Sequence, residues 1–238
     1  MKITTVLFDL DGTLLPMDQD VFVKCYFGKL SNRMAQDGGY DPEQLVATIW
    51  KGTIAMMKND GSRPNQVAFW SAFCDAYGEE KSLQDQPLFD KFYAEEFDSV
   101  RESCGYTPAA AELIGYLKER GIKRVLATNP IFPPEATAAR IGWAGLAVDD
   151  FLMFTHYHNS RYCKPNPAYY RDILDEIGVR AEECLMVGND VDDDMPAAAL
   201  GMKVFLLTDC LINHKGKDIN QFPHGGFDEL RNYIDSVI

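Results

Sequence analysis

Read for the spacing of apolar and polar positions, the chain falls into two unlike parts. Residues 3–10 are a short, almost continuous apolar run of β-formers closed by Asp-Gly, which predicts a buried strand ending in a turn. From residue 108 onward a regular alternation sets in. Helical periodicity over 108–120 stops at Gly121, and 124–128 reads as a strand. A helix over 134–141, a strand over 151–157 and a helix over 167–177 stopped by Gly178 come next. Residues 184–187 then predict a strand ending at Gly188, 195–200 a helix ending at Gly201, 204–207 a strand, and 228–236 a closing helix. Strands and helices alternating at these lengths build parallel βαβ units, so the expected fold class is α/β with a doubly wound parallel sheet.

The stretch 17–105 breaks this rhythm. It carries long amphipathic segments at 21–34, 42–57, 65–77 and 88–100 and no convincing strand, with turn residues at Gly38-Gly39, Asn59-Asp60-Gly61 and 84–87. Because a strand precedes it, the simplest organisation is an α/β core formed by 1–16 and 106–238, interrupted by a helical insertion at 17–105. Aromatics in the insertion, such as Tyr26, Phe27, Trp50, Phe69 and Trp70, lie at helical spacing, which assigns them to its core rather than to a pocket.

Composition narrows the function classes. With 238 residues, 46% of them hydrophobic, the chain can bury a full core. A formal charge of −13 argues against nucleic acid and anionic membrane surfaces as partners, since both would be repelled by the average field. Six cysteines occur without any C-x-x-C pair, so they read as reduced thiols rather than a zinc site or a disulfide framework. Neither a secretory leader nor an apolar run of about 20 residues is present, which predicts a soluble, cytoplasmic protein.

The candidate chemistry lies where an open α/β sheet carries its ligands, at the carboxyl ends of strands. Asp9-Leu10-Asp11-Gly12-Thr13 closes the first strand with two carboxylates one residue apart, side by side on one face of the backbone. Such a pair is costly without a cation or a shared proton, and a hard, oxygen-seeking ion such as Mg²⁺ resolves the conflict. An ordinary strand-to-turn Asp-Gly is the plain alternative. Thr128 and Asn129 end the strand that starts near Arg124, where a hydroxyl and backbone N–H groups can hydrogen-bond a phosphoryl oxygen. Lys164 precedes Pro165-Asn166-Pro167 at a helix start, where a compact ammonium can offset charge on a transferring phosphoryl group. Asn189, Asp190, Asp192, Asp193 and Asp194 crowd the end of a further strand, placed either to supply metal ligands or simply to solvate a helix N-terminus. The four histidines have no metal-ligand spacing and read as peripheral, and Arg161 reads as a surface residue.

In order and in placement these segments resemble the four motifs of the haloacid dehalogenase (HAD) superfamily, over roughly residues 3–16 and 106–210. The resemblance implies a HAD-like Rossmannoid core with a helical, C1-type cap inserted after the first strand. It implies Asp9 as nucleophile, giving an aspartyl-phosphate, and Asp11 as the acid that protonates the leaving group and then activates water. Dehalogenase members lack an acid at the second position, so Asp11 points to phosphoryl chemistry. By the same resemblance Thr128, Asn129 and Lys164 bind the phosphoryl group, and Asp9, Asp11, Asn189 and Asp190 hold Mg²⁺. The fourth motif departs from the common G-D-x-x-x-D form: one alignment selects Asn189 with Asp193, a one-residue shift selects Asp190 with Asp194. The implied activity is Mg²⁺-dependent hydrolysis of a small-molecule phosphomonoester. The alternatives are a sugar-phosphate mutase on the same core, and a non-enzymatic phosphoacceptor or degenerate family member.

Overall fold

A computed structural model describes residues 2–238. Its centre is a parallel sheet of five strands, β1 (Thr5–Phe8), β2 (Lys123–Leu126), β3 (Cys184–Gly188), β4 (Lys203–Leu207) and β5 (His224–Gly225), in the order β2-β1-β3-β4-β5. β1 is flanked on both sides, Phe8 lying opposite Leu126 on one neighbour and Val187 on the other. That central position explains its unbroken apolar run, because both faces of a doubly covered parallel sheet are buried.

Side-chain alternation sorts each strand between two cores. Val6, Phe8, Leu185 and Val187 face α5 (Pro108–Glu119) and α8 (Phe227–Val237), which contribute Leu113, Leu117, Leu230 and Ile234. Leu7, Val125, Met186 and Leu206 face the opposite way, towards Tyr169, Tyr170 and Ile173 of α7 (Pro167–Ile177). The remaining core helix, α6 (Pro134–Trp143), follows β2. The fold class expected from the pattern is the one observed.

Between β1 and α5 the chain is helical: α1 (Gln19–Gly38), α2 (Pro42–Met57), α3 (Asn65–Tyr77), α4 (Glu79–Glu95) and a 3-10 segment, Phe97–Ser103. The chain leaves and re-enters the sheet region side by side, with an antiparallel bridge between Met17 and Cys104 and a bond from the Gly105 N–H to the Pro16 carbonyl at 2.7 Å. Two further contacts fasten the helices to the core. The Trp143 indole donates to Asp98 at 2.7 Å, and its ring stacks on Phe97. At the start of α3 the fully buried Asn65 donates through its amide to the Pro130 carbonyl at 3.2 Å, while its backbone N–H donates to Ser160 at 2.8 Å.

Three local expectations are corrected. The break expected at 84–87 is absent, since α4 runs through Pro87. The strand expected over 151–157 shortens to a bridge between Leu126 and Phe154, with Leu152 and Thr155 donating to the Arg124 and Leu126 carbonyls at 2.7 and 3.0 Å. Side chains divert its backbone, as the Asn159 amide donates to the Phe154 carbonyl and its carbonyl oxygen accepts from the His156 N–H, both at 2.9 Å. The helix expected over 195–200 is 3-10 rather than α. All six cysteines are free thiols.

Candidate active site

One cavity of about 230 Å³ lies at the carboxyl ends of β1, β2 and β3 and is closed from above by α1–α4. Asp9, Asp11, Thr128, Asn129, Lys164, Asn189 and Asp190 all line it, together with Asp193 and Asp194. Residues as far apart in sequence as Asp9 and Asp194 thus meet because the strands they follow run in the same direction.

The loop after β1 owes its shape to Gly12, at φ +83°, a conformation that L side chains rarely adopt. A Cβ there would also lie 2.3 Å from the Asn189 amide nitrogen, so the glycine makes room for the fourth motif to approach. Gly188 does the same for Asp194, whose carboxylate would be 2.1 Å from an added Cβ. Thr13 then ties the loops together, its hydroxyl lying 3.2 Å from an Asp9 oxygen and 3.0 Å from the Asn189 carbonyl oxygen.

Lys164 is the electrostatic hub. Its Nζ lies 2.7 Å from Asp9 Oδ1 and 2.7 Å from Asp194 Oδ1, with only 1% of its side chain exposed. Burial pulls an ammonium down, but the Asp194 and Asp9 carboxylates override it and hold Lys164 well above its ordinary value, hence charged. Its place is fixed from both sides. The Lys164 N–H donates to the Asn129 side chain at 3.3 Å, and the hydroxyls of Tyr169 and Tyr170 donate at 2.8 Å to the carbonyls of Thr128 and Asp193. The two tyrosines of α7 therefore strut the loops after β2 and β3 at once, a role the sequence reading did not assign.

Arg140 was missed altogether. It lies on α6 with 1% of its side chain exposed and forms an ion pair with Asp11 Oδ2. Its guanidinium also donates to the Ala136 carbonyl at 3.2 Å and lies over the Phe132 ring. The available signal was its place one turn after Ala136 on the buried stripe of a predicted helix, where a charge calls for a partner. Although the Asp11 side chain keeps 21% of its surface, its Oδ1 is buried without a hydrogen-bond partner. Burial raises the Asp11 carboxyl, Arg140 opposes that, and the neighbouring Asp9 adds to it, with a net rise.

The acidic run divides its labour. Asp192 points away and pairs with Lys217 at 2.5 Å and Lys215 at 3.2 Å. Asp190 caps its own loop, accepting the N–H groups of Asp192 and Asp193 at 2.7 and 3.0 Å. Asn189 donates to the Cys210 carbonyl at 2.7 Å, which turns its oxygen towards Thr13. Asp193 is pushed up to about 6, by burial first and then by Asp190.

No three His, Cys, Asp or Glu side chains among the described residues form a ready-made metal cage, because Lys164 stands between Asp9 and Asp194. The donor set nevertheless fits a hard divalent ion. Its atoms are oxygens, five carboxylates face only two cations, and one of them, Asp11, has a buried oxygen without a hydrogen-bond partner. Mg²⁺ needs only one or two protein carboxylates, with water and substrate completing its shell.

The aromatics Tyr26, Phe27, Trp50, Phe69 and Trp70 all line this cavity. Their assignment to packing alone is corrected: four of them pack in the helical layer and also present surface to the site, and Trp50 is 45% exposed. Arg161 pairs with Asp172 at the surface at 2.8 Å. No helix among the described residues is long and apolar enough to cross a membrane.

Comparison with known proteins places the chain in a family. A family model described as haloacid dehalogenase-like hydrolase matches residues 3–201. A phosphoglycolate phosphatase of Rhodospirillum rubrum is 29% identical over 210 residues, covering 85% of this chain and 78% of that protein. A phosphoglycolate phosphatase of Xanthomonas campestris pv. campestris is 30% identical over 212 residues, covering 83% and 79%. Among solved structures, a 2-haloacid dehalogenase from Pseudomonas syringae pv. Tomato superposes with a TM-score of 0.67 at 21% identity, covering 98% of this chain and 99% of that one. A HAD phosphatase from Thermococcus onnurineus superposes with a TM-score of 0.58 at 18% identity, covering 98% of each. At those identities the two structures speak for the fold.

Proposed function

The chain belongs to the haloacid dehalogenase-like hydrolase family, and on that footing we propose that it is a phosphatase that hydrolyses a small-molecule phosphomonoester through an aspartyl-phosphate on Asp9. The observation that carries this reading is the pairing of two unlike carboxylates in one cavity. Asp9 is paired with Lys164 at 2.7 Å, while Asp11 is raised by burial and has a buried, unpartnered oxygen. Two carboxylates in such unlike surroundings are suited to act as nucleophile and acid. The names of the relatives agree with it.

An Asp9 oxygen attacks phosphorus, the ester P–O bond breaks, and its electron pair goes to the leaving oxygen, which takes the proton of Asp11. Water then attacks phosphorus and gives a proton to Asp11, the bond to Asp9 breaks, and inorganic phosphate leaves. Lys164 offsets charge on the phosphoryl group, and Thr128 lines the place where its oxygens lie. Asn129 acts one step back, its amide joining the Lys164 backbone to Asp193. Mg²⁺ would be held by oxygens of Asp9, Asp11, Asn189 and Asp190, where it supplies charge neutralisation for an incoming phosphate. The helices over residues 17–105 act as the cap that shields the cavity from water.

The test is phosphate release from p-nitrophenyl phosphate with Mg²⁺. Wild type turns over, and Asp9→Asn loses at least about 10³-fold in kcat while its thermal midpoint stays within a few degrees, since Asp194 remains to pair with Lys164. Near-wild-type turnover by Asp9→Asn would remove Asp9 from the nucleophile role. The mutase alternative predicts isomerised sugar phosphate in place of free phosphate.

A further inference from the structure

The wall of the cavity opposite Asp9 and Asp11 differs sharply from its floor. It is built by α1–α4 and by the loops after β2, and it presents Phe22, Phe27, Trp50, Phe69, Trp70 and Tyr157. Among the described residues Lys164 is the one cationic side chain that lines the cavity, and both Asp9 and Asp194 already occupy it. Several polar atoms on the wall are engaged within it, while the exposed Gln19 amide and the indoles of Trp50 and Trp70 also line the cavity. The hydroxyls of Tyr26 and Tyr93 bond each other at 2.6 Å, and the Thr53 hydroxyl donates to the Ile49 carbonyl at 3.0 Å. The acid at the rim, Asp90, has the wrong sign for an anion.

A leaving group that carries its own carboxylate would meet no counter-charge on this wall and would lose its hydration without replacement. A sugar would find few free hydrogen-bonding groups for its hydroxyls. An uncharged apolar group would instead displace water from aromatic surface, which is favourable. From this contrast, and resting on the phosphatase reading above, we propose that the substrate is a phosphomonoester of an uncharged, apolar alcohol of about phenylethyl size, seated against the α1–α4 aromatics. Hydrolysis breaks the P–O bond of the ester. The oxygen of water ends on inorganic phosphate, and the proton ends on the apolar alcohol.

The experiment compares kcat/KM for 2-phenylethyl phosphate, cyclohexylmethyl phosphate, 2-phosphoglycolate and glucose 6-phosphate with Mg²⁺. All four are esters of primary aliphatic alcohols, so the ratios report recognition more than leaving-group strength. The two apolar esters should exceed phosphoglycolate by at least about 10-fold, the scale set by small differences of apolar contact in a pocket. Trp50→Ala, a truncation of a side chain that is 45% exposed, should narrow that ratio about 10-fold. Val23→Arg, which places a cation at a partly buried cavity position, should shift the ratio towards phosphoglycolate. Phosphoglycolate or glucose 6-phosphate equal to or better than the apolar esters would overturn the inference and leave the phosphatase reading intact. A ratio unmoved by both variants, with both folded by circular dichroism, would overturn the assignment to this wall. No phosphate from any of these esters or from p-nitrophenyl phosphate would overturn the phosphatase reading and this inference with it.

Discussion

Arg140 and Asp11 illustrate how a single buried contact sets the working state of a residue that sequence alone had singled out. Burial favours the neutral carboxyl of Asp11 and Arg140 favours the charged one, so the acid is poised by their difference. Replacing Arg140 with Met keeps most of the volume and removes the charge. The Asp11 carboxyl then rises further, and as the acid of the proposed mechanism it stays competent to higher pH. The alkaline limb of the kcat profile should therefore move up by about one pH unit in Arg140→Met, read from a pH series of phosphate release. An unmoved or lowered limb would show that Arg140 does not act on Asp11. The same variant should lose about 2 kcal/mol of stability to urea, less than for many broken buried pairs because Asp11 can take up a proton. Asp11 was legible from its place two residues after Asp9 in a strand-end motif. Arg140 was hidden because no local rule joins residue 140 to residue 11.

At the scale of elements, propensity located the helices and tertiary contacts decided their extents. Asp18 and Asp41 side chains cap the starts of α1 and α2, and Gly39 ends α1 in the left-handed region, all signals readable in sequence. Pro87 argued for a break that packing overrules. Phe89 and Phe92 are buried on one side of it, and on the other Asp85 accepts from Tyr40 at 2.8 Å and from Lys81 at 2.6 Å. The carbonyl freed by the missing N–H belongs to Leu83, which is 58% exposed and can be solvated. Pro87→Ala restores that helical bond, so α4 should gain about 1 kcal/mol, visible as a rise of a few degrees in the thermal midpoint. A fall would mean that the ring at Pro87 packs favourably or limits the unfolded chain more than it costs the helix. The 151–157 segment failed in the opposite direction, because Asn159 competes for the backbone groups that a strand would have paired.

Across the whole molecule, Asn65 is a multiply bonded polar link between the helical layer and the core. Its side chain joins Asn59 at 2.9 Å, the Pro130 carbonyl at 3.2 Å and Cys163 Sγ at 3.4 Å, immediately beside Lys164. Asn65→Ala leaves several buried groups unpaired and should cost about 2–3 kcal/mol. Hydrogen exchange should rise at the start of α3 and in the 157–163 loop before it rises in the sheet. Uniform loosening of the sheet instead would show that Asn65 supports the core as a whole rather than this contact.

The sequence by itself determined the family, the class of fold and the candidate residues of the site. Asp9, Asp11, Lys164 and the acidic run were readable because strand-end motifs are local, and the parallel sheet was readable because burial on both faces leaves an unbroken apolar pattern. Tertiary structure decided what those residues face. It paired Asp11 with Arg140, turned Asp192 out to Lys215 and Lys217, and made the aromatics of the helical layer a wall of the cavity as well as its packing. The physical reason is that spacing along a helix records which side is apolar, while only the contact across space records whether that side meets another helix or the space above Asp9.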